Sequence, residues 1–275
     1  MGRKTLVQNT KEMQANKVPI NQDKERLDQI NTIMKRIAAV SHLPELPYNM
    51  TLYQTDIVNA AAAPGGSMFV FEGLYDPEKG MVKDEDELAA VIAHEIAHVN
   101  CRHVTERLTR VMPVVMATEI GAQILIANDS KDWANILRLV SAGGMALWIP
   151  SYSRKDEAEA DRVGMVYMAR AGYDPRAAPR IWKRVADEKG DKSPASIFAT
   201  HPSGWDRYQA LNNMLPSAME EYRKATGSYP TGYSPGTSAP TGQLNEGNVG
   251  TLPPRRENAP AKTEPEKGTY IQFQE

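Results

Sequence analysis

Leu27, Ile30, Ile33, Met34, Ile37 and Val40 recur at spacings of three and four, which predicts an amphipathic helix with one buried face. The pattern then changes. Ser67 to Phe71 is rich in β-formers and follows a Pro64-Gly65-Gly66 turn, so residues 49 to 73 read as a hairpin. Helical spacing returns from about residue 85 to 110. There Leu88, Val91, Ile92 and Ile96 form an apolar stripe among Ala89, Ala90, Ala93 and Ala97, behind an acidic start at Glu85, Asp86 and Glu87. Two more apolar stretches, Val111 to Ile126 and Ile136 to Ile149, predict buried helices. The first contains Pro113, Thr118, Glu119 and Gln123, the second contains Arg138, and both are too short to cross a bilayer. A helix ending near Gly172, another from Asp174-Pro175 to about Gly190 and a third over 203 to 224 complete the pattern. The fold class is therefore α+β and mostly helical, with a small sheet or hairpin beside the helix at 85 to 110.

Residues 1 to 20 are polar and loose, residues 21 to 224 form one domain, and residues 225 to 275 are a disordered tail rich in Gly, Pro, Ser and Thr. The end of that tail, Thr269 to Gln274, alternates like a short strand able to add to a sheet edge. With 275 residues, 41% of them hydrophobic, the chain can bury a sizeable core. A net charge of −2 leaves no nucleic-acid footprint, and Arg102, His103, Arg107 and Arg110 read as a solvated face. Cys101 is the only cysteine, which excludes an intrachain disulfide; it reads as a small core residue rather than a ligand. No membrane span or signal peptide is visible, although the two apolar stretches leave room for peripheral membrane contact.

The chemistry lies in His94-Glu95-Ile96-Ala97-His98. Residues four apart share a helix face, so both imidazoles can reach one metal ion, and Glu95 is placed to take a proton from a water there. A third ligand is needed. The metzincin pattern would put Gly at 101 and His at 104, but the chain has Cys101 and Val104, with His103 out of register. The alternative is a carboxylate from a later helix. Glu157 and Asp161 are four apart, so Glu157 can ligate while Asp161 accepts the free ring N–H of a ligating histidine. Taken alone, the same segment would read as a solvated acidic helix partnered by Arg154, Lys155 and Arg162. Glu159 lies about 200° around from Glu157 and reads as solvated.

With these residues in place, the chain resembles the HtpX-like metallopeptidases, the gluzincin family that also holds the CAAX prenyl endopeptidases. The resemblance joins the His94 motif to Ser153-Arg154-Lys155-Asp156-Glu157-Ala158-Glu159-Ala160-Asp161. It adds the segment from Val58 to Gly66 leading into Met68-Phe69-Val70-Phe71, and Thr200-His201-Pro202-Ser203 followed by Asp206-Arg207. It covers roughly residues 20 to 215 and points to the soluble periplasmic BepA-like or Oma-like branch. It implies a zincin-like metalloprotease fold with one zinc per chain. His94, His98 and Glu157 would be ligands, Glu95 the general base, and Asp161 the support behind a ligand. His201 would be a fourth ligand in a resting form or a transition-state stabiliser; as a plain loop residue before Pro202 it would cap the next helix. Ala61 departs from the family's usual Phe.

A strand edge marked by Asn59, Gly66 and Met68 would pair with an extended peptide main chain, which suits unfolded or misassembled protein substrates. The expected activity is metalloendopeptidase cleavage in cell-envelope quality control, with a periplasmic location implied by the resemblance and a removed leader before Met1. The competing reading is a latent zinc-bound, chaperone-like module with little turnover. Intact Glu95 argues against it, because a purely structural metal has no use for a general base.

Overall fold

The computed structural model describes residues 18–76, 80–128, 130, 131, 135, 152–187 and 205–235. His201, the stretch at 136 to 149, the strand-like end of the tail and most of residues 1 to 20 lie outside them.

Helix α1 (Lys24–Ala38) starts at Asp23, whose carboxylate accepts from the Arg26 backbone N–H, and it buries Ile30, Ile33, Met34 and Ile37. Strands β1 (Asn49–Tyr53), β2 (Ala60–Ala63) and β3 (Ser67–Phe71) follow. Only β2 and β3 form the expected hairpin. β1 pairs with β3 in parallel, giving the order β1-β3-β2. The β2–β3 reversal uses Gly65 and Gly66 at φ values of 86° and 87°, a region open to glycine at little cost. An isolated bridge from Ile20 lies against Tyr53 on β1, whereas the outer edge of β2 pairs with no strand among the described residues.

Helix α2 (Glu85–Asn100) is the centre of the molecule. Asp84 caps it by accepting from the Glu87 N–H. It is apolar nearly all round, as a helix enclosed by neighbours must be, and it packs on α1, β2, α4 (Arg154–Arg170) and α5 (Ala177–Asp187). Leu88, Ile92 and Ile96 are fully buried, each contributing roughly 1.5–3 kcal/mol. Buried Glu87 ties its first turn to α5, accepting from Arg184 Nη2 at 2.7 Å and Arg180 Nε at 3.3 Å.

The helix predicted to reach residue 110 instead ends at Asn100. Arg102 takes a left-handed conformation (φ 65°) and a new helix, α3 (His103–Ala127), leaves in another direction. The stripe Met116, Ile120 and Ile124 on α3 is more than half exposed, contrary to the burial expected for Val111 to Ile126. No helix among the described residues is long and apolar enough to cross a membrane.

Helix α4 (Arg154–Arg170) opens with a capping box. Ser153 Oγ accepts from the Asp156 N–H, and Asp156 accepts from the Ser153 N–H. α4 lies directly against α2 at Gly164, where an added Cβ would stand 3.0 Å from Ala93 C and His94 N. Helices α5 (Ala177–Asp187) and α6 (Trp205–Thr226) complete the domain. The tail boundary set at 225 falls inside α6, and Tyr229 and Tyr233 still pack on the core. The whole is an α+β fold, mostly helical, with one small sheet.

Candidate active site

The close contact at Gly164 aims one face of α4 at the buried histidines of α2. His94 Nε2 and His98 Nε2 stand 3.0 Å apart. Glu157 completes the triangle, with Oε2 3.4 Å from His94 Nε2 and Oε1 3.4 Å from His98 Nε2. His98 and Glu157 are essentially inaccessible to solvent and His94 is nearly so. Glu95, also buried, lines the same cleft as His94 and Asp161.

Asp161 Oδ1 stands 3.0 Å from His94 Nδ1, the position expected for a carboxylate that accepts the free ring proton. Burial pulls the His94 pKa down, but Asp161 and Glu157 outweigh it and lift the imidazole to about 9. Burial likewise pushes the Asp161 carboxyl up, and Arg207 with His94 overcomes that and holds it below the usual carboxylate range.

The donor set fits a zinc ion. If each Nδ1 carries the proton, both Nε2 lone pairs point into the same small space, an arrangement that a bound cation relieves. Bonds of about 2.05 Å at tetrahedral angles would separate the ligand atoms by about 3.3 Å, close to the 3.0–3.4 Å found.

Four residues complete the surroundings. Arg207 on α6 is buried; its Nη1 forms an ion pair with Glu157 Oε2 and its Nη2 donates to Asp161 Oδ1, both at 2.6 Å. Its guanidinium lies 3.5 Å over the Trp182 ring. Tyr152 stacks on the His98 ring with centroids 3.8 Å apart. His103, assigned to a solvated face, is instead buried, with Nδ1 3.0 Å from His98 Nδ1. Glu159, assigned to solvent, approaches His103 Nε2 at 3.3 Å. Arg207 was signalled only as the last position of the segment His201-Pro202 to Arg207. Cys101 is half-buried rather than part of the core. Its thiol is pushed up to about 11, by burial first and by Glu159 second.

The strand-edge residues separate. Met68 sits on β3, the central strand, and is buried, so it cannot present an edge. Gly66 lies in the turn and its carbonyl accepts from Asn49 N, while the Asn59 carbonyl accepts from Phe71 N. Among the described residues the open edge is that of β2, and β2 packs on α2.

The profile of peptidase family M48 matches residues 24–215. The chain belongs to peptidase family M48. The M48 segment contains each of the site residues above. The chain is 36% identical over 193 residues to the mitochondrial metalloendopeptidase OMA1 of Schizosaccharomyces pombe, covering 69% of this chain and 53% of that protein. Against the protein of the same name from Arabidopsis thaliana it is 33% identical over 192 residues, 69% of this chain and 36% of the relative. Against the beta-barrel assembly-enhancing protease of Escherichia coli it is 27% identical over 234 residues, 80% of this chain and 47% of the relative. The chain thus spans about half the length of these curated relatives or less.

Proposed function

We propose that the protein is a zinc-dependent metalloendopeptidase that hydrolyses peptide bonds in misfolded or unassembled cell-envelope proteins. The observation that carries this reading is the convergence of His94 Nε2, His98 Nε2 and Glu157 within 3.0–3.4 Å of one another, with Glu95 beside them. Membership of M48 and the metalloendopeptidase names of its relatives support it.

His94, His98 and Glu157 would hold the ion. When bound, zinc supplies Lewis acidity, lowering the pKa of a water and polarising a scissile carbonyl. Glu95 takes the proton from the attacking water and passes it to the leaving amine, so the base of the first step is the acid of the second. Asp161 holds His94 with Nδ1 protonated and Nε2 free to ligate. Arg207 fixes Glu157 and Asp161 together against the electrostatic cost of two buried carboxylates.

An extended peptide would lie along the open edge of β2, bound by main-chain hydrogen bonds that read little of its sequence. Beside His94 and Glu95, a cleft lined by Met81, Val91, Met165, Ile181 and Trp182 offers an apolar side chain a place to bury. Both features favour unfolded chains. A position at the membrane surface of the cell envelope is consistent with the open Met116, Ile120 and Ile124 stripe.

The test is casein degradation and zinc content measured together on wild type, Glu95→Gln and Glu157→Ala. Wild type should cleave; Glu95→Gln should keep its zinc and lose cleavage; Glu157→Ala should lose both. Undiminished cleavage by Glu95→Gln would refute the assignment of the base. Full zinc occupancy in Glu157→Ala would remove the third ligand.

A further inference from the structure

His94 and His98 are held by different devices. Behind His94 stands a single carboxylate, Asp161, 3.0 Å from its Nδ1. Behind His98 stands another imidazole, with the Nδ1 atoms of His98 and His103 3.0 Å apart in a fully buried setting. At that separation one ring donates and the other accepts. Which does which follows from the far side of His98, where Nε2 faces His94 Nε2 at 3.0 Å and Glu157 Oε1 at 3.4 Å. If Nε2 is the ligand atom, as the proposed function requires, the His98 proton must sit on Nδ1. His103 Nδ1 is then the acceptor, and the neutral His103 ring carries its own proton on Nε2. That atom is 3.3 Å from Glu159 Oε2.

We propose that His103 and Glu159 are positioning residues that form a carboxylate–imidazole–imidazole relay, fixing the tautomer and orientation of the ligand His98. Glu159 accepts from His103 Nε2–H, and His103 Nδ1 accepts from His98 Nδ1–H. The break after Asn100 makes this geometry available. On a continuous helix a residue five positions after His98 would project about 140° away from it. The left-handed Arg102 redirects the chain and folds His103 back onto the His98 ring. Tyr152 stacks on the same ring, with planes 21° apart, so His98 is held both at its edge and on its face. Cys101, His103 and Glu159 bring ligand-type atoms within 4.8 Å of one another, but in the relay both His103 nitrogens are already engaged, which leaves none for a second metal.

The inference rests on His98 being a zinc ligand, and the experiment separates the two. Zinc dissociation constants are measured by chelator competition on the full chain for wild type, His98→Ala, His103→Leu, His103→Asn and Glu159→Gln, with metal-free thermal unfolding of each. His103→Leu should weaken zinc binding by about 10- to 100-fold, the usual loss for a partner behind a metal-ligating histidine. His103→Asn places Oδ1 where Nδ1 stood, accepts the same proton, and should recover most of that loss; a purely space-filling role would not distinguish Asn from Leu in this direction. Glu159→Gln, at a half-exposed position, should weaken zinc by a few-fold without moving the metal-free unfolding temperature. In zinc-loaded wild type, ring ¹⁵N shifts should place the proton on Nδ1 of His98 and on Nε2 of His103. Equal zinc affinities in the Leu and Asn variants, a proton on His103 Nδ1, or a second zinc per chain lost on changing His103 would each overturn the relay. Unweakened zinc binding by His98→Ala would instead overturn the ligand assignment beneath it.

Discussion

Arg207 holds Asp161 by two hydrogen bonds, Nε to Oδ2 at 2.7 Å and Nη2 to Oδ1 at 2.6 Å, joining α6 to α4 behind the His94–His98–Glu157 triangle. The planar fork matches the carboxylate, and the third nitrogen, Nη1, reaches Glu157. Replacing Arg207 by Ala strands two buried carboxylates and should destabilise the domain by about 3–5 kcal/mol in urea unfolding at neutral pH. Arg207→Lys should restore only part, because an ammonium cannot serve both carboxylates in the same geometry. The sign with pH is fixed. Asp161 is held below its unfolded pKa, so its contribution is present above about pH 4 and is lost as pH falls through the lowered value. The stability gap between wild type and Arg207→Ala should therefore narrow below pH 4. A gap that widens in acid would show that Asp161 is not the charge being compensated.

Zinc should act as a folding ligand. Three converging donors on two separate helices exist only in the folded chain, so binding stabilises the native state by mass action. At free zinc a thousandfold above the dissociation constant, the gain is about 4 kcal/mol. The unfolding temperature should rise steadily with zinc concentration, return to its starting value on adding a chelator, and become insensitive to zinc in Glu157→Ala. A transition unmoved by zinc in wild type would count directly against the site.

Gly164 sets how closely α4 approaches α2. A methyl group there meets backbone atoms of Ala93 and His94 at 3.0 Å, atoms that cannot swing aside. Gly164→Ala should therefore push the helices apart, costing roughly 1–3 kcal/mol as an overpacked contact. Since Glu157 and Asp161 ride on the displaced helix, zinc affinity should fall as well. Ala at this position raises helix propensity, so a gain in stability would mean that the contact relaxes more easily than its distances suggest.

Much of this was legible in the chain, for definite reasons. His94, Glu95, His98, Glu157 and Asp161 could be read because helical periodicity converts spacing into a shared face, and the structure brings those five residues together. The acidic start of α2 at Glu85, Asp86 and Glu87 was legible too. What failed was long-range or depended on one dihedral angle. His103 looked solvated because the pattern continued as a helix through residue 110, and nothing in Arg102 announces a left-handed backbone. Arg207 stands 46 residues from Asp161, a separation over which periodicity says nothing. The parallel pairing of β1 with β3 was invisible for the same reason, and with it the fact that Met68 lies at the sheet's centre.

The same pairing gives the sharpest test of how substrate would be held. Ala60 pairs with Val70 and Ala62 with Met68, while the Asn59 carbonyl accepts from Phe71 N. In an antiparallel ladder, hydrogen-bonded and non-hydrogen-bonded pairs alternate. With Asn59 and Phe71 a bonded pair, Ala61 and Ala63 turn their N–H and C=O groups toward β3, and Ala60 and Ala62 turn theirs to the open edge. Proline removes one N–H and so distinguishes the two sides. Ala62→Pro should leave the fold and zinc content close to wild type but reduce casein kcat/KM by roughly two- to tenfold, the equivalent of one lost main-chain hydrogen bond of about 0.5–1.5 kcal/mol. Ala61→Pro breaks a bond to β3 and should lower the unfolding temperature itself. If Ala62→Pro cleaves casein as well as wild type does, the β2 edge is not where the peptide binds, and the apolar cleft beside His94 would have to supply the affinity alone.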